Sequence, residues 1–230
     1  MEEPPPKRTK SSSERSAAAN PIVSSSSESS AAANPIVSDL VAAPPPLTPA
    51  RPAPVRVQGL NELRSYLRAA AASGATPSDL PPAVPNLPPV AWEQAMEQAC
   101  GDVDFLCGLL KELWVEVSQI VGDLRAEILT RLPAAVEPAA RHAGHASCKA
   151  IVMCCHTLCG SSGNLMCSQM AEMARWLSQE ALECIDPPEG APNNNAATTF
   201  PQTAAGMLAS VEACRDGMAE SLRAKGIPAP

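Results

Sequence analysis

Apolar residues recur at helical spacing through most of the chain beyond residue 90. The clearest stretch is preceded by Asp102, which is suited to cap a helix, and is followed by the helix-breaking Pro133 and Pro138. Its apolar positions are separated mostly by four and three residues, close to the 3.5-residue period of a bundle seam. They are Leu106, Leu110, Leu113, Val117, Ile120, Leu124 and Ile128. This pattern predicts one long amphipathic helix.

The rest of this region repeats the helical pattern. We predict a short helix from Trp92 to Cys100 and long helices over about 147–165, 168–184 and 202–225. The last helix carries one apolar stripe, formed by Met207, Val211, Cys214, Met218 and Leu222. No segment alternates with the two-residue period of a strand over a useful length. We therefore expect an all-α fold: an antiparallel up-down four-helix bundle with the Trp92 helix packed across one end.

The first 90 residues have a different composition, because they hold 17 of the 25 prolines. Residues 25–37 nearly duplicate residues 11–23, with few apolar side chains to offset the entropy of ordering. Slippage in a disordered tail explains this repeat better than a docking peptide built on its NPIV sequence. We expect three regions: a disordered tail at 1–57, a short helix and Pro-rich linker at 58–90, and the bundle at 91–225.

The negative net charge of the protein limits the classes of macromolecule that it is expected to bind. The formal net charge is -7, and the region 91–225 carries seventeen acidic against nine basic residues. Nucleic-acid binders cluster Lys and Arg, so we expect no nucleic-acid partner. The sequence has no apolar run near the ~18 residues of a membrane span. Its first residues are acidic and proline-rich rather than basic and then apolar, so we expect no signal peptide. We expect a cytoplasmic monomer with reduced cysteines, and Lys7, Arg8 and Lys10 allow the nucleus as a second compartment.

The most informative segment is 154–165, with the sequence CCHTLCGSSGNL. At 100° per residue, His156 points roughly 140° away from the centre of the expected core face. That face consists of Ile151, Cys155, Leu158, Ser162 and Leu165. Gly160 and Gly163 share the side of His156, although each glycine costs a helix about 1 kcal/mol relative to alanine. Close approach of another macromolecule to the histidine would account for that cost.

The segment HTLCGSSGNL resembles the signature of histidine-containing phosphotransfer (HPt) proteins, H-x-L-K-G-S-S followed by a small, Gly-rich turn. The surroundings are similar too: Trp92-Glu93 opens the region, and GD-x-x-F-L at 101–106 starts the second helix. The resemblance covers roughly 91–225. It implies a bundle whose histidine accepts a phosphoryl group from a receiver aspartate of a hybrid histidine kinase. The group then passes to a response regulator.

By this resemblance, His156 is the phosphoacceptor, and Gly160 keeps the docking surface clear. The expected receiver-docking surface consists of Lys149, Val152, Cys159, Gly160 and Gly163. The protein is then a phosphoryl carrier without catalytic activity of its own. It needs no cofactor or bound metal, because the receiver brings the aspartate and Mg²⁺. Phosphoryl transfer depends mainly on positioning and charge neutralisation, so an unobstructed nucleophile on a rigid helix suffices.

One departure from the family concerns position 159. The family usually has Lys three residues after the histidine, where it is read as helping to neutralise phosphate, and this chain has Cys159. Lys149 lies on the same side but two turns away, ~10 Å along the axis, and is placed to steer a receiver rather than touch phosphate. The substitution leaves a second hypothesis open, that of a decoy that binds receivers and transfers poorly.

A third hypothesis, from a different class, is a Cys-rich metal or redox protein. Cys148, Cys155 and Cys159 fall on one helical stripe beside His156. Structural zinc usually takes four converging ligands, often from two separate knuckles, and no second knuckle is present. We read Cys155 as a core residue instead. The other two histidines of the chain, His142 and His145, are expected in a loop before the third long helix.

Overall fold

The described part of the chain is mostly helical, as the hydrophobic periodicity predicts. The computed structural model describes residues 52–76, 79–134, 141–187 and 196–228. Its helices are α1 (Leu60–Ala72), α2 (Trp92–Gln98), α3 (Val103–Ala126), α4 (Leu132–Ala134), α5 (Arg141–Asn164), α6 (Ser168–Ile185) and α7 (Ala196–Ala224). A π-helical turn, Glu127–Arg131, joins α3 to α4, and two short strands are β1 (Val55–Val57) and β2 (Ala83–Pro85).

The core lies among the four long helices. α5 packs most extensively on α6, α6 packs on α7, and α3 contacts both α5 and α7. The seam predicted for α3 is confirmed, since all its members are buried except the half-buried Ile120. The predicted stripe of α7 is buried throughout. Sequence periodicity therefore identified the inward faces of both helices correctly.

The fold agrees with the expected all-α class in being mostly helical, and it also contains two short strands that were not predicted. β1 and β2 pair in parallel, with Val55 opposite Ala83 and Val57 opposite Pro85. Each strand has only three residues and β2 is buried throughout, so no alternating pattern was available to reveal them. Gln169 of α6 donates through Nε2 to the carbonyl oxygens of Pro85 and Leu87, at 3.0 and 3.1 Å. The expected linker therefore holds a strand anchored to α6.

Because β1 pairs with β2, the predicted tail ends earlier in the chain than residue 57. The predicted tail at 1–57 includes β1, whose Val57 is buried, so the packed part of the chain begins before residue 57. Residues 1–51 lie outside the described residues. The short helix predicted within 58–90 is present as α1, with Leu63 fully buried.

Two helix starts differ from the prediction. At the end of the α3 segment, a π-helical turn leads into α4, which ends at Ala134, one residue after Pro133; Pro138 lies outside the described residues. α5 begins at Arg141, so His142 and His145 are helical rather than in a loop. α7 begins at Ala196 and includes Pro201, which is preceded only by the first turns of the helix and therefore disrupts little hydrogen bonding.

Two other predicted boundaries, the start of α3 after Asp102 and the stop at Gly101, are supported by local structure. The Asp102 carboxylate caps α3 by accepting from the Phe105 N–H at 2.9 Å. α2 ends before Gly101, whose φ of +79° is a left-handed conformation suited to glycine. Trp92 at the start of α2 donates its indole N–H to Ser221 Oγ near the end of α7, at 3.1 Å. The Trp92 helix thus packs at one end of a long helix.

Within the described ranges, no helix combines the length and the apolar character that crossing a lipid bilayer requires.

Candidate functional site

His156 lies on the exposed side of α5, eight residues before the helix ends at Asn164. Ile151, Cys155 and Leu158 are fully buried on the core side of the same helix. The core face of α5 is therefore where the 100° rotation per residue places it. The predicted exposure of His156 in mid-helix is confirmed. An imidazole in this position is open to solvent and to an incoming partner.

A groove runs beside His156 between α5 and α6. Its walls, which we call the His156 groove, are Cys155, His156 and Cys159 of α5 and Arg175, Ser178, Gln179 and Leu182 of α6. Its volume is about 240 Å³. A water molecule occupies about 30 Å³ in the liquid, so the groove has room for a tetrahedral oxyanion with several waters.

The α6 wall of the groove was missed by sequence reasoning. Arg175, Gln179 and Leu182 recur at helical spacing and therefore share one side of α6. This spacing was visible in the sequence, but it does not show which neighbouring helix the side faces. The Arg175 guanidinium forms an ion pair with Glu172 of its own helix. Gln179 donates through Nε2 to Glu183 Oε1 at 3.2 Å.

The predicted docking residues divide into two groups. Lys149 and Gly160 are exposed, as is His156. Val152 and Cys159 are half-buried and pack against the hydrophobic core. Gly163 is also half-buried, and a Cβ added there would lie 4.0 Å from the Cβ of Ala171 in α6. The three half-buried residues therefore contact the rest of the protein as well as solvent, whereas Lys149 and Gly160 are the more exposed members of this set.

Gly160 stands one helical turn beyond His156 on the same side of α5. A Cβ added at Gly160 would meet no heavy atom within 4 Å, so packing within the described residues does not require glycine here. Gly108 and Gly122 in α3 also face open space. What distinguishes Gly160 is its neighbour, because a side chain four residues after the histidine would stand beside the imidazole.

An exposed apolar side chain also lies next to His156. Met153 is 65% exposed and precedes the histidine by one turn, so the two side chains are neighbours on the helix surface. Exposed large apolar groups are unremarkable singly but add contact area at a docking surface. Sequence reasoning missed Met153, since its position on the helical wheel does not distinguish an apolar contact from an ordinary surface residue.

The cysteines near the site are mostly protonated thiols. Burial raises the pKa of Cys155. Burial also raises the pKa of Cys154, and the charges of Asp123 and Glu127 add to that effect. Cys148 is buried within hydrogen-bonding reach of Cys184, and this hydrogen bond together with burial raises the Cys148 pKa. Because the thiolate is the nucleophile and metal ligand, these residues act as small core side chains.

The cysteine stripe does not assemble a ligand set in the described structure. Among residues 52–76, 79–134, 141–187 and 196–228, no three His, Cys, Asp or Glu side chains are grouped so that they could hold a metal ion. Cys148 and Cys155 are turned into the core, whereas His156 is turned toward solvent.

No family model, curated protein or solved structure matches this chain.

Proposed function

We propose that this protein is a histidine phosphotransfer protein, with His156 as its phosphoacceptor. It takes a phosphoryl group from a receiver aspartate of a hybrid histidine kinase and relays it to the receiver of a response regulator. It works as a carrier without independent catalytic activity, in the cytoplasm and as a monomer. The four helices α3, α5, α6 and α7 form the antiparallel up-down bundle that presents the histidine.

One observation carries the proposal: an exposed imidazole in mid-helix has a glycine one turn beyond it that the described packing does not require. The Gly160 position faces open space, yet glycine costs a helix about 1 kcal/mol relative to alanine. A receiver that must bring its aspartate to His156 would use that clearance. The HPt-like sequence around these residues gives the same assignment.

The physical requirements of the reaction fit such a surface. Phosphoryl transfer depends on alignment of donor and acceptor and on neutralisation of the phosphoryl oxygens, with little covalent chemistry left to the carrier. The receiver supplies the aspartyl phosphate and Mg²⁺. The carrier supplies a rigid helix, anchored by buried residues such as Ile151 and Leu158.

A second candidate rests on position 159. Cys159 is half-buried in the groove and carries no charge, whereas the family usually has lysine there. A protein that docks receivers through the same surface and transfers slowly would act as a decoy. Both candidates use the same partners and the same surface, so they are separated by transfer and not by binding.

The test is a two-receiver assay with the full chain. A kinase receiver domain from the same cell is phosphorylated and mixed with the protein, and a response-regulator receiver is added afterwards. The carrier is supported when label moves from the first receiver to the protein and then to the second. The decoy replaces it when the protein binds both receivers but acquires no label within the lifetime of the donor. Absence of both binding and transfer would contradict both candidates.

A further inference from the structure

The His156 groove holds a positive charge on the wall opposite the histidine. Of its seven described lining residues, Arg175 is the only one with a permanent charge. Its side chain is 61% exposed, so the guanidinium is accessible from solvent even though it is paired with Glu172. Gln179, one turn further along α6, adds an amide donor to the same wall.

The positions of His156 and Arg175 relative to the turn between α5 and α6 also place these two residues near each other. α5 ends at Asn164 and α6 begins at Ser168, so a short turn joins two helices that pack on each other. His156 precedes the turn by eight residues, and Arg175 follows the start of α6 by seven. At 1.5 Å per residue, these offsets are ~12 and ~10 Å along the two axes. In a helical hairpin, such residues face each other at nearly the same height.

Position 159 lacks the positive charge of the family's lysine, and the groove contains another positive charge, that of Arg175. Cys159 leaves the α5 wall without the lysine that the resemblance leads us to expect. We propose that Arg175 takes over its role, by binding the phosphoryl group on His156 from the neighbouring helix. This inference rests on the proposed phosphotransfer function. Arg175 then contacts the transferred group directly, and its planar guanidinium offers two parallel donors to phosphoryl oxygens.

The resting partner of Arg175 defines what must change on phosphorylation. In the transfer step, an imidazole nitrogen of His156 bonds to phosphorus while the bond from phosphorus to the receiver's aspartate oxygen breaks. The carboxylate leaves with that electron pair, and the imidazole keeps the proton on its other nitrogen. The dianionic phosphoryl group then competes with the Glu172 carboxylate for the guanidinium. Glu172 holds Arg175 in place before transfer and weakens its hold on the product.

The experiment measures the transfer equilibrium between one phosphorylated receiver and the full chain. Arg175→Ala should shift the equilibrium away from phosphohistidine by about tenfold, because the product loses a charge-assisted contact worth ~1.4 kcal/mol. Arg175→Lys keeps the charge and should stay within about threefold of wild type. Glu172→Gln should shift the equilibrium toward phosphohistidine by up to about threefold. Arg223→Ala removes an exposed arginine from the last turn of α7 and serves as the control.

A double variant separates a phosphate contact from a structural effect. Adding Cys159→Lys to Arg175→Ala should restore most of the lost equilibrium constant, whereas a lysine on α5 would not repair a damaged α6. Phosphoramidate, which phosphorylates histidine without a receiver, supplies a second readout. The ³¹P signal of phosphohistidine should change between wild type and Arg175→Ala.

The outcomes distinguish this inference from the function on which it rests. If neither wild type nor any variant exchanges a phosphoryl group with receivers, the proposed function fails, and the ³¹P comparison then decides alone whether Arg175 touches phosphohistidine. If wild type transfers and Arg175→Ala matches it in equilibrium constant and ³¹P shift, the inference about Arg175 is wrong while the function stands.

Discussion

The two sides of α6 differ in what covers them. On one side, Arg64 of α1 forms ion pairs with Glu180 and Glu183, the latter at 2.5 Å. α1 also packs on α7, where a Cβ added at Gly206 would lie 2.6 Å from Leu67 Cδ2. On the other side lies the His156 groove, where the ion pair of Arg175 is with Glu172 of its own helix. The first side is filled by this chain, and the second is open.

Some glycines lie where internal packing leaves no room for a side chain, and others lie where it does. A side chain at Gly206 would have to displace the Leu67 side chain, so internal packing restricts this position. Gly160 has open space around it and needs another explanation. The receiver that we propose to approach His156 would give that explanation.

The largest effect is expected where α1 packs on α7. Gly206→Gln forces a buried side chain against Leu67 and should lower the free energy of unfolding by about 1–3 kcal/mol, even after a helix-propensity gain of up to about 1 kcal/mol. Denaturant unfolding measures the loss. Leu67→Ala in the same chain should recover part of it, because the space that glutamine needs is then free. A Gly206→Gln protein as stable as wild type would show that Leu67 does not fix this position.

The same substitution at Gly160, on the exposed side of α5, should have the opposite effect on stability. Gly160→Gln should leave the stability unchanged or raise it by roughly half to one kcal/mol, since glutamine has the higher helix propensity. Transfer from a receiver should fall by about tenfold (~1.4 kcal/mol), because the new side chain crowds His156. Transfer kinetics and unfolding of the same preparation check both parts. An unchanged transfer rate would mean that the receiver approaches from elsewhere.

A smaller effect is expected from the departure at position 159. Cys159→Lys should speed phosphorylation of His156 or prolong the phosphohistidine by an amount worth about 0.5–1 kcal/mol, the usual range for exposed charge pairs. Cys159→Ala is the control, because it removes the thiol without adding charge. If both variants match wild type in every rate, position 159 is neutral. If wild type transfers nothing and lysine restores activity, the decoy is the better account.

The smallest effect is expected from the ion pairs that Arg64 of α1 forms with Glu180 and Glu183 of α6. The hydrogen bond from Arg64 holds the pKa of Glu183 below its usual range. The pair therefore stabilises the fold above about pH 4.3, the ordinary glutamate value, and this contribution is lost as the pH falls through the lowered folded pKa. Since Glu183 is 40% exposed, Glu183→Gln should cost only a few tenths of a kcal/mol at pH 7. Unfolding measured from pH 7 downward should show the difference at pH 7 and its progressive loss in acid, below the ordinary glutamate pKa.

Sequence patterns predicted the inward faces of the long helices because a 3.6-residue period records burial directly. They located His156 on the exposed side of α5 for the same reason. They missed β1 and β2, since three-residue strands carry no period. They also missed Arg175, because a periodic pattern identifies the faces of one helix but not which faces of two helices meet. The extra turns of α5 and α7 escaped notice because Gly144 and Pro201 resemble helix breaks.

The most direct test of the central assignment is to locate the label after incubation with a phosphorylated receiver. Two exposed histidines of α5 provide a matched pair, His156 beside the groove and His145 near the helix start. Acid-labile, base-stable label should appear in wild type and in His145→Gln and vanish in His156→Gln, while all three proteins unfold at the same denaturant concentration within error. Label that persists in a folded His156→Gln protein would contradict the assignment.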